Sequence, residues 1–287
     1  MKDKKVLTIQ DYSSFGQCSL SVALPIISAM GIETVSLPIA LLSTHTSGFE
    51  GYTHVDLKDN VVPAAKHFKS LELDFDFIYL GYLGSSSTAK AVEEVCDLFP
   101  DAQLIVDPAM AEDGKFYDGI TKDFAQSVAS LCQKSYIALP NLSEACLLSD
   151  ITYEPIQTKD SILKICQRLV GNGIKRFVIT GIRTKTGMCL AYCDGNKVDL
   201  IDTKAVEGNF LGSGDVFAST LTGALANDLD LPKSLDLAVK YTQKTVELTS
   251  QDKSHWYGLK FEKTIPYLIE LLNIAKKCHP ESNQRIY

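Results

Sequence analysis

Long apolar runs are missing from this 287-residue chain. No stretch approaches the ~20 residues that a membrane-spanning helix requires. Positive charge is also short, with 28 lysines and arginines against 35 acidic residues and a net charge of −7. That balance argues against nucleic acid or an anionic membrane as the main partner, so an anionic ligand must be held by local devices. The five histidines form no H-E-x-x-H or H-x-x-x-H pattern, and the eight cysteines, at 18, 96, 132, 146, 166, 189, 193 and 278, include no C-x-x-C pair. With no signal-peptide pattern ahead of them, these read as reduced thiols of a soluble cytoplasmic protein without a structural metal site. Two nucleotide fingerprints are absent as well. There is no G-x-x-x-x-G-K-[ST] loop, and where a dinucleotide-binding G-x-G-x-x-G would follow the first strand the chain reads TIQDYSSFGQCS.

What is present is regular alternation. Short apolar runs at VLTI (from Val6), TVSLP (Thr34), FDFIYL (Phe75), LIVD (Leu104), YIALP (Tyr136) and FVIT (Phe177) predict strands, and GMCLAYC with KVDLID predicts a hairpin turning at Asp194 and Gly195. Helical stripes lie between most of them. Val92, Val95, Cys96 and Phe99 share one face of 89–99, and Leu235, Ala238, Val239, Thr242 and Val246 share one face of 234–250. Repeated strand-helix-strand units imply an α/β fold, a doubly wound, mostly parallel sheet with helices on both faces. No repeat or linker divides the chain, so 1–287 reads as one domain, which at this size buries about three quarters of its unfolded surface. A polar tail from Lys276 onward is expected to fray.

Ligands of such sheets bind beyond the carboxyl ends of the strands. The first strand runs into Asp11, the third into Gly81 and Tyr82, the fourth into Asp107, the fifth into Asn141 and Glu144, and the sixth into Thr180 and Gly181. Each alone fits a turn or cap residue as well as a ligand contact, but all should converge on one edge. The segment STHTSGFEGYTH, 43–54, reads as a loop able to cover that edge, with Phe49 and Tyr52 available to lie over a flat ligand. An ordinary surface connection fits it equally well.

The stretch NFLGSGDVFASTLTGALA, from Asn209, combines a glycine turn with a helix. Phe217, Leu221, Ala224 and Leu225 form the apolar stripe, so the helix begins near Ser213 with unpartnered amides in its first turn. Gly212 and Gly214 let backbone approach a phosphate closely. Asp215 then either complements the helix dipole or serves chemistry at the bound anion.

Five segments resemble the ribokinase-like superfamily, in particular the pyridoxal/pyridoxamine kinases of its vitamin kinase branch: IQDYSSFGQCSLSVALPIISAMG, GYLGSSS from Gly81, VDPAMAEDGKFY from Val106, LPNLSEACLL from Leu139 and NFLGSGDVFAS. They span nearly the whole chain in order. The resemblance implies an ATP- and Mg²⁺-dependent kinase that phosphorylates the 5′-hydroxymethyl of pyridoxal, pyridoxine or pyridoxamine. Gly212, Ser213 and Gly214 would form an anion hole for the transferring phosphoryl group, with Asp215 as catalytic base. Asp107 and Glu144 would hold Mg²⁺ largely through water. Asn141, Glu144, Thr180, Gly181 and Glu112 would lie on the nucleotide side, and Asp11, Thr46 and Tyr82, with His45 adjacent, would line the pyridine. By residue chemistry alone, Arg183 or Lys185 supplies local positive charge.

The chain departs from the family pattern in three places. DPAMAED stands where relatives read D-P-V-x-G-D, which leaves Glu112 or Asp113 as the second carboxylate; LPN replaces T-P-N, so Leu139 removes a hydroxyl that could reach phosphate or a monovalent cation; and Ser213 replaces a threonine. Relatives are often homodimers. Two readings stay beside the first: a hydroxymethylpyrimidine kinase of thiamine synthesis, and a non-catalytic B6-binding or regulatory protein.

Overall fold

The apolar runs predicted as strands lie side by side in a computed structural model, which describes residues 3–195 and 197–277. Its main sheet contains β1 (Lys5–Phe15), β2 (Glu33–Thr44), β3 (His54–Asp56), β4 (Phe77–Leu80), β5 (Gln103–Val106), β8 (Ile137–Ala138), β9 (Arg176–Thr184), β10 (Gly187–Asp194) and β11 (Lys197–Thr203). The spatial order is β11-β10-β9-β8-β5-β4-β1-β2-β3. Pairings from β2 through β9 are parallel, while β3, β10 and β11 pair antiparallel at the two edges. Since β1 is followed by its neighbour β2 and only later by its other neighbour β4, the order of winding reverses at β1/β4. That reversal is where a doubly wound sheet opens a crevice.

Helices cover both faces. On one side α2 (Lys58–Ser70), α3 (Ser86–Leu98), α4 (Lys122–Lys134), α5 (Leu142–Ser149) and α6 (Lys159–Gly171) bury residues such as Val92, Phe124, Leu131 and Ile165 against Leu7, Ile9, Ile78 and Val106 of the strands. On the other, α1 (Leu20–Ala29), α7 (Ser213–Ala226) and α8 (Leu231–Ser250) bury Ala23, Ile27, Leu221 and Leu235 against Val6, Tyr79 and Ile105. Outside these, α9 (Ile265–Lys277) packs Leu268 and Leu272 beside Val22, Val216 and Tyr241. The strand core is apolar on both faces, as parallel strands under two helical layers must be. Close approach of α1 and α7 depends on Gly223, where a Cβ would stand 2.4 Å from Met30 Sδ.

Several expectations are refined. The YIALP strand contracts to two residues, because the chain leaves the sheet at Pro140 and caps α5 with Asn141. A short hairpin of β6 (Ala111–Glu112) and β7 (Lys115–Phe116), turning at Asp113 and Gly114 with φ of 47° and 75°, had no strand-like signal in its sequence. The loop set at 43–54 narrows, since Ser43 and Thr44 end β2 and His54 begins β3. The tail expected to fray from Lys276 is still helical at Lys277. Its remainder, with Cys278, lies outside the described residues.

Candidate active site

At the amino end of α7 the glycine turn makes a set of free donors. Gly212 takes φ +77° and a Cβ there would collide at 2.2 Å with the Gln17 carbonyl oxygen, so only glycine lets the turn rest on the segment after β1. The Val216 amide donates to the Gly212 carbonyl (3.0 Å) and the Ser213 amide to Phe210 (3.2 Å). The Ser213 amide is thus taken. The amides of Gly212, Gly214 and Asp215 have no hydrogen-bond acceptor among the described residues, which leaves the positive end of an apolar, buried helix open to an anion.

Asp215 is half-buried beside these donors. The packed protein around it and the charge of Asp107 push its carboxyl up to about 8, against the Ser19 amide, which favours the charged form. Asp107 leaves the end of β5 and is also raised, by burial and then by Glu144; one oxygen accepts weakly from the Ala109 amide at 3.3 Å. The charges form a chain from α5 through β5 to α7, Glu144 acting on Asp107 and Asp107 on Asp215.

Glu144 differs from the other two because its oxygens are occupied. Oε1 accepts from the Met110 amide (2.9 Å) and the Ala111 amide (3.4 Å), and Oε2 from the Asn141 amide (2.8 Å). Burial still raises its carboxyl. In return Asn141 Oδ1 accepts from the Glu144 amide at 3.0 Å, completing a capping box, and Asn141 Nδ2 donates to the Ala111 carbonyl at 2.7 Å. Both side chains fix the β6–β7 hairpin over α5, so Glu144 reaches the site chiefly through its charge. Thr180 bridges Asn141 in parallel register and donates its amide to Pro140 at 3.0 Å, and Gly181 beside it is exposed with φ +69°.

Of the two carboxylates left open by DPAMAED, Glu112 contributes to the field at Glu144 and at Tyr117, with Arg183 as the opposing cation. Asp113 sits in the hairpin turn and accepts from the Tyr153 hydroxyl at 3.4 Å. Lys185 is exposed beyond Arg183.

On the β1/β2 side, Asp11 is buried and accepts from the Ser13 hydroxyl at 3.2 Å. Burial raises its carboxyl, opposed by the hydroxyls of Ser19 and Ser13. Tyr82, half-buried after β4, has a phenol raised by burial and then by the charge of Asp11. Thr46 is exposed. His45 is buried: Nε2 meets the Tyr257 carbonyl at 3.0 Å and its ring stands edge-on to Phe49 at 4.9 Å. Phe49 in turn packs on Trp256 at 4.6 Å. The 45–53 loop is thereby clasped to 255–258, and the same His45 ring lies against Gly16, in the segment that follows β1.

Three residues near the site lie in segments that carry the resemblance but have no role assigned by it. Cys18 and Ser19 stand in the turn before α1, where the charges of Asp215 and Asp11 act on Cys18, and those of Glu144, Glu112 and Asp107 act on Tyr117. All are ordinary residues in local pattern, brought in by the turn before α1 and by the β6–β7 hairpin. A cleft of about 500 Å³, lined by Lys4, Phe77, Tyr136 and Asp228 among others, opens at the opposite edge of the sheet and contains none of these groups.

A family model described as phosphomethylpyrimidine kinase matches residues 23–259. The chain belongs to the phosphomethylpyrimidine kinase family. It is 24% identical over 272 residues to a pyridoxine/pyridoxal/pyridoxamine kinase of Bordetella avium, covering 85% of each chain. Among solved structures, it matches a Bacteroides thetaiotaomicron protein assigned as a phosphomethylpyrimidine kinase with a TM-score of 0.88, 29% identity and 93% and 94% of the two chains covered. A second crystal form of that protein contains pyridoxal. The pyridoxal kinase of Lactobacillus plantarum matches with a TM-score of 0.85, 26% identity and 96% and 99% covered. The α/β kinase fold expected from the resemblance is the one this family member has.

Proposed function

We propose that the protein is an ATP-dependent kinase that phosphorylates the 5′-hydroxymethyl group of pyridoxal, pyridoxine or pyridoxamine. The observation that carries this reading is the buried-edge pairing of Asp215 with the free amides of Gly212, Gly214 and Asp215 itself, on the same sheet edge as Asp11 and Tyr82. The curated relatives that act on B6 vitamers and the relative solved with pyridoxal support the choice of acceptor.

The acceptor lies against Asp11 and Tyr82, with its alcohol toward Asp215. Asp215 takes the hydroxyl proton as the alcohol oxygen bonds to the γ-phosphorus, and the bond to the β-phosphate oxygen breaks to release ADP. A carboxyl raised to about 8 has the proton affinity a base needs near neutral pH. The free amides of the turn stabilise charge on the phosphoryl oxygens, where fixed donors act without reorganising. Thr180 and Gly181 border the nucleotide, and Arg183, whose charge acts on Glu112, adds positive charge on that side.

No group of three or more His, Cys, Asp or Glu able to hold a metal ion occurs among the described residues. The donor set nonetheless fits Mg²⁺ shared with phosphates and water: Asp107 keeps an oxygen without a protein donor, and Glu144 adds charge behind it. When bound, Mg²⁺ neutralises phosphate charge. Leu139 offers no oxygen from its side chain to a monovalent cation, so a requirement for one would rest on other ligands.

A homodimer is supported by an exposed apolar row in register across three strands, Tyr12, Leu41 and Val55, at the short β3 edge. Residence in the cytoplasm is supported by the seven described cysteines, all unpaired. No helix among the described residues is long and apolar enough to cross a membrane.

Hydroxymethylpyrimidine is the second acceptor to test, because the family model itself is described by phosphomethylpyrimidine. A kinase assay with pyridoxal, pyridoxine, pyridoxamine and hydroxymethylpyrimidine side by side decides between them. ADP release with a B6 vitamer is the expected result; release with the pyrimidine alone would replace the reading. Binding of a vitamer with no ADP release would leave a non-catalytic protein.

A further inference from the structure

Buried hydroxyls on the long helices of this protein return to their own backbone. In α7 the Thr220 hydroxyl donates to the Val216 carbonyl (2.6 Å) and the Thr222 hydroxyl to the Ala218 carbonyl (2.8 Å), and in α8 Thr245 and Thr249 bond the carbonyls of Tyr241 and Thr245 in the same way. Ser219 does not. It stands beside Thr220 in α7, is 0% exposed, and its hydroxyl has no hydrogen-bond partner among the described residues.

Two further oxygens are left open on the strands that α7 covers. Tyr79 of β4 and Gln10 of β1 are both fully buried, and neither the Tyr79 hydroxyl nor Gln10 Oε1 has a partner. Thr8 pairs with Tyr79 in parallel register, and Gln10, two residues on, faces the same way and donates from Nε2 to Thr8 Oγ1 at 2.8 Å. The amide oxygen then lies over the end of β4, where a Cβ at Gly81 would stand 2.5 Å from it. Ala218 and Leu221 of α7 pack in one cluster with Tyr79, which sets the strand pair against the stretch of helix that carries Ser219.

Three buried oxygens left open in one packed layer are more than native interiors tolerate, where nearly all such groups bond to protein or to an enclosed water. None of the three is charged, so a neutral ligand suits them better than a cation. Water matches the set. It can donate to Gln10 Oε1, which only accepts, and exchange bonds with two hydroxyls that donate or accept. The Tyr79 phenol fits this surrounding, pushed well above its ordinary range by burial and then by the charges of Asp107 and Asp215, with Ser219 and Gln10 opposing the rise.

We propose that Gln10, Tyr79 and Ser219 enclose a water-binding site that joins α7 to β1 and β4, one helical turn behind Asp215. Side chains four apart on a helix are neighbours on one face, so the site backs the turn that carries the base. Such a water stands or falls apart from the kinase reading, since neither the acceptor nor the nucleotide enters into it.

Crystals of the parent without ligand, diffracting well enough to show ordered solvent, are expected to contain one enclosed water within hydrogen-bond reach of all three oxygens. An empty site, or direct bonds among the three that leave no room for water, would overturn the proposal. Melting temperatures test it in solution. Removing an orphaned hydroxyl by Tyr79→Phe would raise the melting temperature, whereas removing a ligand of a bound water lowers it. A fall on the order of 3 °C is expected for Tyr79→Phe in the parent background, and less than half of that in Ser219→Ala, where the water has already lost one partner. A Tyr79→Phe protein that melts at or above the parent, or that falls equally in both backgrounds, would overturn the site.

Discussion

At the scale of single residues, the site turns on which groups are already occupied. Asp215 and Glu144 are both acidic residues near a helix start, yet Glu144 spends its oxygens on three amides while Asp215 faces open donors. Asp215→Asn is accordingly expected to keep nucleotide affinity and lose 10²–10⁴-fold in kcat, about the contribution of a positioned base. Steady-state kinetics with pyridoxal check this, and near-normal turnover would end the assignment. The two glycines of the turn should separate by mechanism. Gly212→Ala places a methyl 2.2 Å from the Gln17 carbonyl at a positive φ, so the protein should lose about 1–3 kcal/mol or more of stability, seen as a lowered melting temperature. Gly214→Ala meets only Asp107 Oδ2, at 4.0 Å, and has no such φ. It should fold normally and weaken ATP binding alone, as measured by calorimetry.

At the scale of elements, β5, α5 and α7 deliver three carboxyl groups to one place, and this has a cost in stability. Asp107, Glu144 and Asp215 are all raised in the folded chain by burial, and Asp107 and Asp215 also by one another's or Glu144's charge. The native state therefore binds more protons than the unfolded chain between about pH 4, where free carboxyls titrate, and about 8. Stability is full below that window and declines as pH rises through it. The ligand-free melting temperature should fall on the order of 5 °C from pH 5 to 8.5, and Asp107→Asn should flatten the decline. A flat profile in the parent would mean the carboxyls titrate normally. Much of this arrangement was legible beforehand, because strand-end carboxylates and a G-x-G-D turn have fixed places in a doubly wound sheet. The β6–β7 hairpin was not. Its strands are two residues long and its order comes from Glu144 and Asn141, contacts between positions some 30 apart that no local pattern encodes. His45 makes its contacts with Tyr257, Phe49 and Gly16, partners that only the fold brings beside it.

At the scale of the whole molecule, the winding reversal at β1/β4 explains why groups from 11 to 215 meet on one edge, and the same sheet leaves the β3 edge open to a partner. Leu41 stands in the middle of the exposed row between Tyr12 and Val55. Leu41→Asp should convert a dimer into a folded monomer in sedimentation experiments, and a parent that already sediments as a monomer would remove that face from the account. The central claim is the transfer itself. The direct test incubates the purified protein with pyridoxal, ATP and Mg²⁺ and follows both products. The account predicts equal amounts of ADP and pyridoxal 5′-phosphate from the parent and almost none from Asp215→Asn. Absence of the phosphorylated vitamer from the parent, or equal yield from the variant, would contradict it.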